Sequence, residues 1–121
     1  MIIAFYIVAG IAAVAFLGAG LMKLARAKPA LQTAGMAWVE DFTGGTVKII
    51  GVAEVLGAIG LILPMITGMA PILSPIAGIC LAILMIGASV VHVRRKESPT
   101  APIVLAILAA AAAVLGFLVI L

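Results

Sequence analysis

The chain has 121 residues, of which 67% are hydrophobic before its 13 glycines are counted and 9% are charged, with no asparagine and a formal net charge of +3. A globular domain carries about a quarter charged residues, so this chain cannot cover a water-facing surface. A conventional soluble enzyme, a disordered tail and, with Cys80 the single cysteine, a disulfide-stapled module are excluded, which leaves an integral membrane protein.

Four apolar runs follow in order, at 2–22, 46–66, 71–91 and 103–121. Each is long enough to cross as a helix, since a hydrocarbon core of about 30 Å needs about 20 helical residues. Unsatisfied backbone groups in lipid leave helices or closed barrels as the spanning forms, and the alternating strands of a barrel are absent from the sequence. The pattern predicts an all-α fold: one transmembrane domain over 1–121, built as a four-helix bundle. Positive charge follows the first apolar run instead of preceding it, so that run is expected to remain as an uncleaved span.

Between the first two runs lie Pro29 and Gly35, then Met36, Trp38, Val39 and Phe42 at helix-like spacing beside Glu40 and Asp41. They predict a short interfacial helix in the first loop, closing one end of the bundle. Gly44 and Gly45 precede the second span, and Pro64 and Gly68 close it. Ser74 and Pro75 read as an N-cap followed by a first-turn proline, and Ser98, Pro99 and Pro102 separate the third run from the fourth. Small residues, among them Gly10, Ala13, Gly20, Gly57, Gly60, Ala77, Gly116 and the alanine run 109–113, let helices approach closely. They predict a tight bundle that associates with a second copy or with another membrane protein.

All seven basic residues fall in or beside the first and third loops: Lys23, Arg26, Lys28, Lys48, Arg94, Arg95 and Lys96. The opposite side has no charged side chain, so the positive-inside rule puts the basic loops in the cytoplasm and both termini outside. These cations lie at helix ends without interleaved aromatics, which argues for contact with membrane lipids and against a nucleic-acid partner.

Glu54 is the most informative residue. It stands eight residues beyond Thr46, roughly 12 Å into the span at helical rise. A carboxylate at such depth costs about 2.5–3.5 kcal/mol, which favours facing the bundle interior, finding a donor or taking up a proton. Its helical neighbours Gly51, Gly57 and Ala58 are small and leave room for another helix, water or a ligand. Lys23 is the candidate counter-charge, because it continues a stripe of Ala9, Ala13, Phe16 and Gly20 along the first helix; inward pairing and snorkelling to the headgroups both fit its flexible stem. Lys48 lies about 120° around the second helix from Glu54 and reads as a lipid-edge anchor. On the third helix Met85, Ala88 and His92 share a face, with His92 at the mouth and Met85 about as deep as Glu54. Lys23, Glu54, Met85 and His92 therefore make a candidate polar interior cluster or ligand site, with Phe16, Gly51, Gly57, Ala58 and Ala88 as its lining. The plainer readings are an interfacial histidine and a core-filling methionine.

Several chemistries are absent. A lone cysteine rules out intrachain dithiol exchange, one histidine and one cysteine cannot close a zinc site, and no Walker or dinucleotide fingerprint is present. No metal site and no catalytic residue is assigned.

The segments Gly20-Leu21-Met22-Lys23-Leu24, Gly51-Val52-Ala53-Glu54-Val55-Leu56-Gly57 and Leu61-Ile62-Leu63-Pro64, then Ala77, Met85, Ala88 and His92, occur in the order that the DoxX-like family of small four-span membrane proteins shows. The chain resembles that family from about Ala9 to Arg95. The resemblance implies a setting in the bacterial cytoplasmic membrane. Such proteins are associated with a thiosulfate:quinone oxidoreductase, with membrane redox complexes and oxidative-stress tolerance, and a distant animal relative acts as a receptor-assembly chaperone. Fold analogy does not choose among these. The first expectation is a non-enzymatic bundle that serves as a subunit or assembly factor of a membrane complex, redox complexes included. The alternative is a protein that binds a quinone or another lipophilic ligand, with Glu54 as its proton-exchanging group. Whether the chain is an enzyme stays open.

Overall fold

The computed structural model describes residues 1–121, which form helices joined by short connections and no strand. Four helices are long and apolar enough to cross a membrane: α1 (Ile2–Ala25), α3 (Gly44–Thr67), α4 (Leu73–Arg94) and α5 (Thr100–Ile120). The first loop holds the six-residue α2 (Lys28–Thr33) and a 3-10 turn (Ala37–Asp41). Helices α1 and α3 pack together, as do α4 and α5; contacts of α1 with α5 and of α3 with α4 close the ring.

The helix ends differ from the sequence expectation for identifiable reasons. Thr43 caps α3, its Oγ1 accepting from the Thr46 amide at 3.1 Å, so Gly44 and Gly45 fall inside the first turn instead of before it. Pro102 lies within the first turn of α5, where its missing N–H costs no helical bond. Gly68 ends α3 in the left-handed conformation, φ 70°, with its amide on the Pro64 carbonyl, a conformation glycine adopts without strain. Ser74 is a correction. Its hydroxyl does not cap α4; it is buried and donates to the Leu61 carbonyl of α3 at 2.5 Å, because the crossing of α3 and α4 offers it an acceptor across the pair.

The bundle core is Phe5, Ala9, Ala12, Phe16, Ala58, Leu61, Leu81, Met85, Ala109 and Ala112. On α1 the buried row is Phe5, Ala9, Ala12, Phe16, Gly20 and Lys23, so Ala12 takes the place expected for Ala13, which is only half-buried. A second small core of Leu31, Val39 and Val47, flanked by Met22, Met36, Trp38 and Phe42, seats the first loop on the charged end of the bundle. The outer wall carries exposed Ile3, Ile7, Val14, Ile49, Leu56, Ile83 and Val114, the apolar surface a lipid-facing bundle presents.

Glycines set the closest approaches. A Cβ on Gly20 would lie 2.7 Å from the Gly51 carbonyl oxygen, and one on Gly51 would lie 3.0 Å from the Gly20 oxygen, so the α1 and α3 backbones touch at this pair. A Cβ on Gly78 would lie 2.9 Å from the Ala109 oxygen, which marks the equivalent crossing of α4 and α5.

Lys48 is not the lipid-edge anchor its helical angle suggested. Its Nζ donates to the carbonyls of Lys23 (2.7 Å), Leu24 (2.9 Å) and Arg26 (2.7 Å), the unpaired acceptors at the C-terminus of α1. A cation there satisfies orphan carbonyls and the negative helix end together.

Candidate functional site

Lys23 and Glu54 each stand three residues after the glycine that makes the crossing. Because α1 and α3 run antiparallel, Lys23 lies beside Gly51 while Glu54 lies at the level of Gly20, and Lys23 Nζ reaches along the crossing to donate to Glu54 Oε1 at 2.5 Å. Both are buried, with side-chain exposures of 7% and 1%. Of the two fates open to Lys23, the structure adopts inward pairing. Lys23 Nζ also sits 5.6 Å from the centroid of the Trp38 ring, within range of a cation–π attraction. The second carboxylate oxygen of Glu54 accepts no hydrogen bond from the chain, yet no sealed side-chain oxygen or nitrogen lacks a partner. Glu54 also lines an open space beside the pair.

The space is a cavity of about 640 Å³ at the charged end of the bundle, lined from α1, the first loop, α3, α4 and α5. Lys23 and Glu54 meet it on one side, Met85, Ala88 and His92 on another. Met36, Trp38 and Phe42 of the first loop also border it, with Trp38 and Phe42 packed edge to face at 5.7 Å between centroids. His92 Nδ1 lies 2.8 Å from the Ala88 carbonyl oxygen; a carbonyl only accepts, so Nδ1 carries the proton, and in the neutral ring Nε2 is left as an acceptor.

The loop is held against α4 by charge. Arg95, just past the end of α4, meets Asp41 Oδ1 at 2.9 Å and Glu40 Oε1 at 3.4 Å, and its Nε donates to Glu97 Oε1 at 2.5 Å. The hydrogen bond to Glu97, then that to Asp41, hold its guanidinium above the ordinary range, so this tether keeps its cation at any working pH. Gly35, at φ 100°, makes the bend between α2 and the 3-10 turn that brings Trp38 over the bundle.

Five of the nine residues singled out from the sequence, Lys23, Glu54, Met85, Ala88 and His92, border this cavity. The other four lie elsewhere. Phe16 and Ala58 are in the bundle core. Gly51 is filled by the α1 backbone, and Gly57 faces Leu81 of α4, where an added Cβ would lie 2.5 Å from a leucine methyl. Small neighbours of Glu54 along α3 thus serve helix contacts, and none of them lines the open space. Trp38, Phe42 and Met36 were not legible as lining, because their sequence signal, an aromatic with acidic neighbours, is equally that of a headgroup anchor.

No group of three or more histidine, cysteine or carboxylate side chains comes together that could hold a metal ion. The family model that matches the chain is that of the DoxX-like family, over residues 7–114. No curated protein and no solved structure matches it.

Proposed function

This chain belongs to the DoxX-like family and is an integral multi-pass membrane protein, and from that premise we propose that it binds a lipophilic small molecule in the cavity at the charged end of its bundle. One observation carries the reading: the buried Lys23–Glu54 pair borders an apolar cavity of about 640 Å³. Ligand sites are of this kind, apolar walls of roughly 300–1,000 Å³ with a few convergent polar groups. A pair serving only to fix α1 against α3, as a subunit or assembly factor would use it, needs no open space beside it. The Lys23–Glu54 pair gives the ligand's head a polar floor.

The test is to fill the cavity from a wall residue outside the pair. Ala88→Phe places a ring into the space. The protein purified from its own membrane is expected to carry a stoichiometric lipophile, detected by native mass spectrometry, and the variant is expected to lose it while keeping its helical circular dichroism. A wild-type protein that carries no lipophile and takes none up on reconstitution would overturn the reading.

A further inference from the structure

The arrangement of charge and hydrogen-bonding groups around the cavity restricts the head of its ligand. We propose, resting on the ligand-binding reading above, that the cavity selects a neutral lipophile whose head carries a hydroxyl, an alcohol or a phenol, and rejects fatty acids and other anionic amphiphiles.

Charge is the first restriction. Lys23 and Glu54 cancel each other at 2.5 Å. Of the other cations at this end, Lys48 is committed to three α1 carbonyls and Arg95 to Asp41, Glu40 and Glu97, while Arg26, Lys28 and Lys96 do not line the cavity. Arg94 is exposed and borders a groove between α4 and α5, away from the cavity. No unpaired lysine or arginine meets the cavity. An entering carboxylate would have to share Lys23 with Glu54, two carboxylates against one cation beside apolar walls, an arrangement in which both do not stay ionised. An entering ammonium would meet the mirror-image conflict with Lys23.

Hydrogen bonding is the second restriction. The groups left unfilled at the cavity wall include two acceptors, the second oxygen of Glu54 and Nε2 of His92, since Nδ1 is spent on Ala88. The remaining N–H groups of Lys23 supply donors. A head that only accepts, such as a ketone, ether or ester, desolvates both acceptors without giving either a proton. A hydroxyl gives one and accepts in return. Sites built to bond a hydroxyl discriminate strongly against analogues without it, because the buried partner is then unpaired.

Trp38 is the only tryptophan and lies on the cavity wall, so its emission reports occupancy directly. The experiment titrates the full-length protein in nanodiscs with dodecanol, dodecyl methyl ether and dodecanoate, three chains that differ only in the head. Dodecanol is expected to give a saturable change, with the ether and the acid weaker by more than about tenfold, the loss that follows from one buried polar group left unpaired. Glu54→Gln leaves Lys23 without its anion, and dodecanoate is then expected to overtake dodecanol. His92→Leu, which leaves the ion pair intact, is expected to shrink the preference for the alcohol over the ether. Equal affinity for all three, or dodecanoate binding best to the wild type, overturns the selectivity while leaving the cavity a ligand site. No response to any of the three overturns both. Should Glu54→Gln fail to fold, the wild-type order and His92→Leu still decide.

Discussion

At the scale of single residues, the buried ion pair dominates. Removing one member strands the other charge among apolar side chains, a loss of about 3–5 kcal/mol, whereas replacing both with apolar residues of similar volume is often neutral or stabilising. Lys23→Met alone and Glu54→Leu alone are therefore expected to lower stability in detergent by about that amount, and the double variant to recover most of it. Unfolding of the four proteins by denaturant, read as a double-mutant cycle, measures the coupling; a double variant no more stable than the singles would mean that the pair does not act as a unit. Half of this site was legible. Glu54 announced itself because an acid in an apolar run is costly wherever it points, and Lys23 stood out as its candidate counter-charge, but the sequence left open whether its stem reaches the interior or the headgroups. Lys48 was misread for a related reason. A helical angle measured from Glu54 says which way the side chain leaves α3, and nothing about the α1 carbonyls that its ammonium meets.

At the scale of helices, the crossing of α1 and α3 places the pair, and it depends on two missing side chains. Gly20→Ala puts a Cβ 2.7 Å from the Gly51 oxygen and from a Val55 methyl. Backbone cannot step aside as a flexible side chain can, so the helices must separate, at a cost of about 1–3 kcal/mol. The matched control is Gly18→Ala, two residues earlier, where an added Cβ meets nothing within 4 Å. There helix propensity alone applies, worth up to about 1 kcal/mol in favour of alanine. Thermal denaturation in detergent is expected to move the two variants in opposite directions; a Gly20→Ala protein as stable as the wild type would show that the contact is not tight. Small residues on α1 look alike in the sequence, and their burial differs because only one face of the helix turns towards α3. The helices themselves were readable from hydropathy, whereas their ends moved by a few residues wherever a cap such as Thr43 or a first-turn proline such as Pro102 decided the boundary.

At the scale of the molecule, charge is confined to one end. Lys23, Arg26, Lys28, Lys48 and the stretch from Arg94 to Glu97 surround the loop-covered end, while the 68–72 turn and both termini carry no charged side chain. By the positive-inside rule we propose that the charged end, and with it the cavity, faces the cytoplasmic leaflet. In a Cys80→Ala background, Met69→Cys and Leu121→Cys are expected to react with an impermeant thiol reagent on intact cells, and Thr33→Cys only after permeabilisation. The reverse pattern would invert the topology and place the cavity in the outer leaflet.

The sequence by itself determined that this chain lives in a bilayer, how many helices cross it, which end carries the charge and which acid lies within the apolar region. These properties follow from one-dimensional quantities, the run of apolar residues and the position of charges along it. The tertiary structure alone decided that Lys23 answers Glu54, that Lys48 closes the end of α1, and that Trp38 and Phe42 cover a cavity reached by Met85 and His92. Each of these depends on how far every helix is rotated and how near its neighbour comes, and that rotation is set by contacts between residues far apart in the chain, such as Gly20 with Gly51, which no local pattern records.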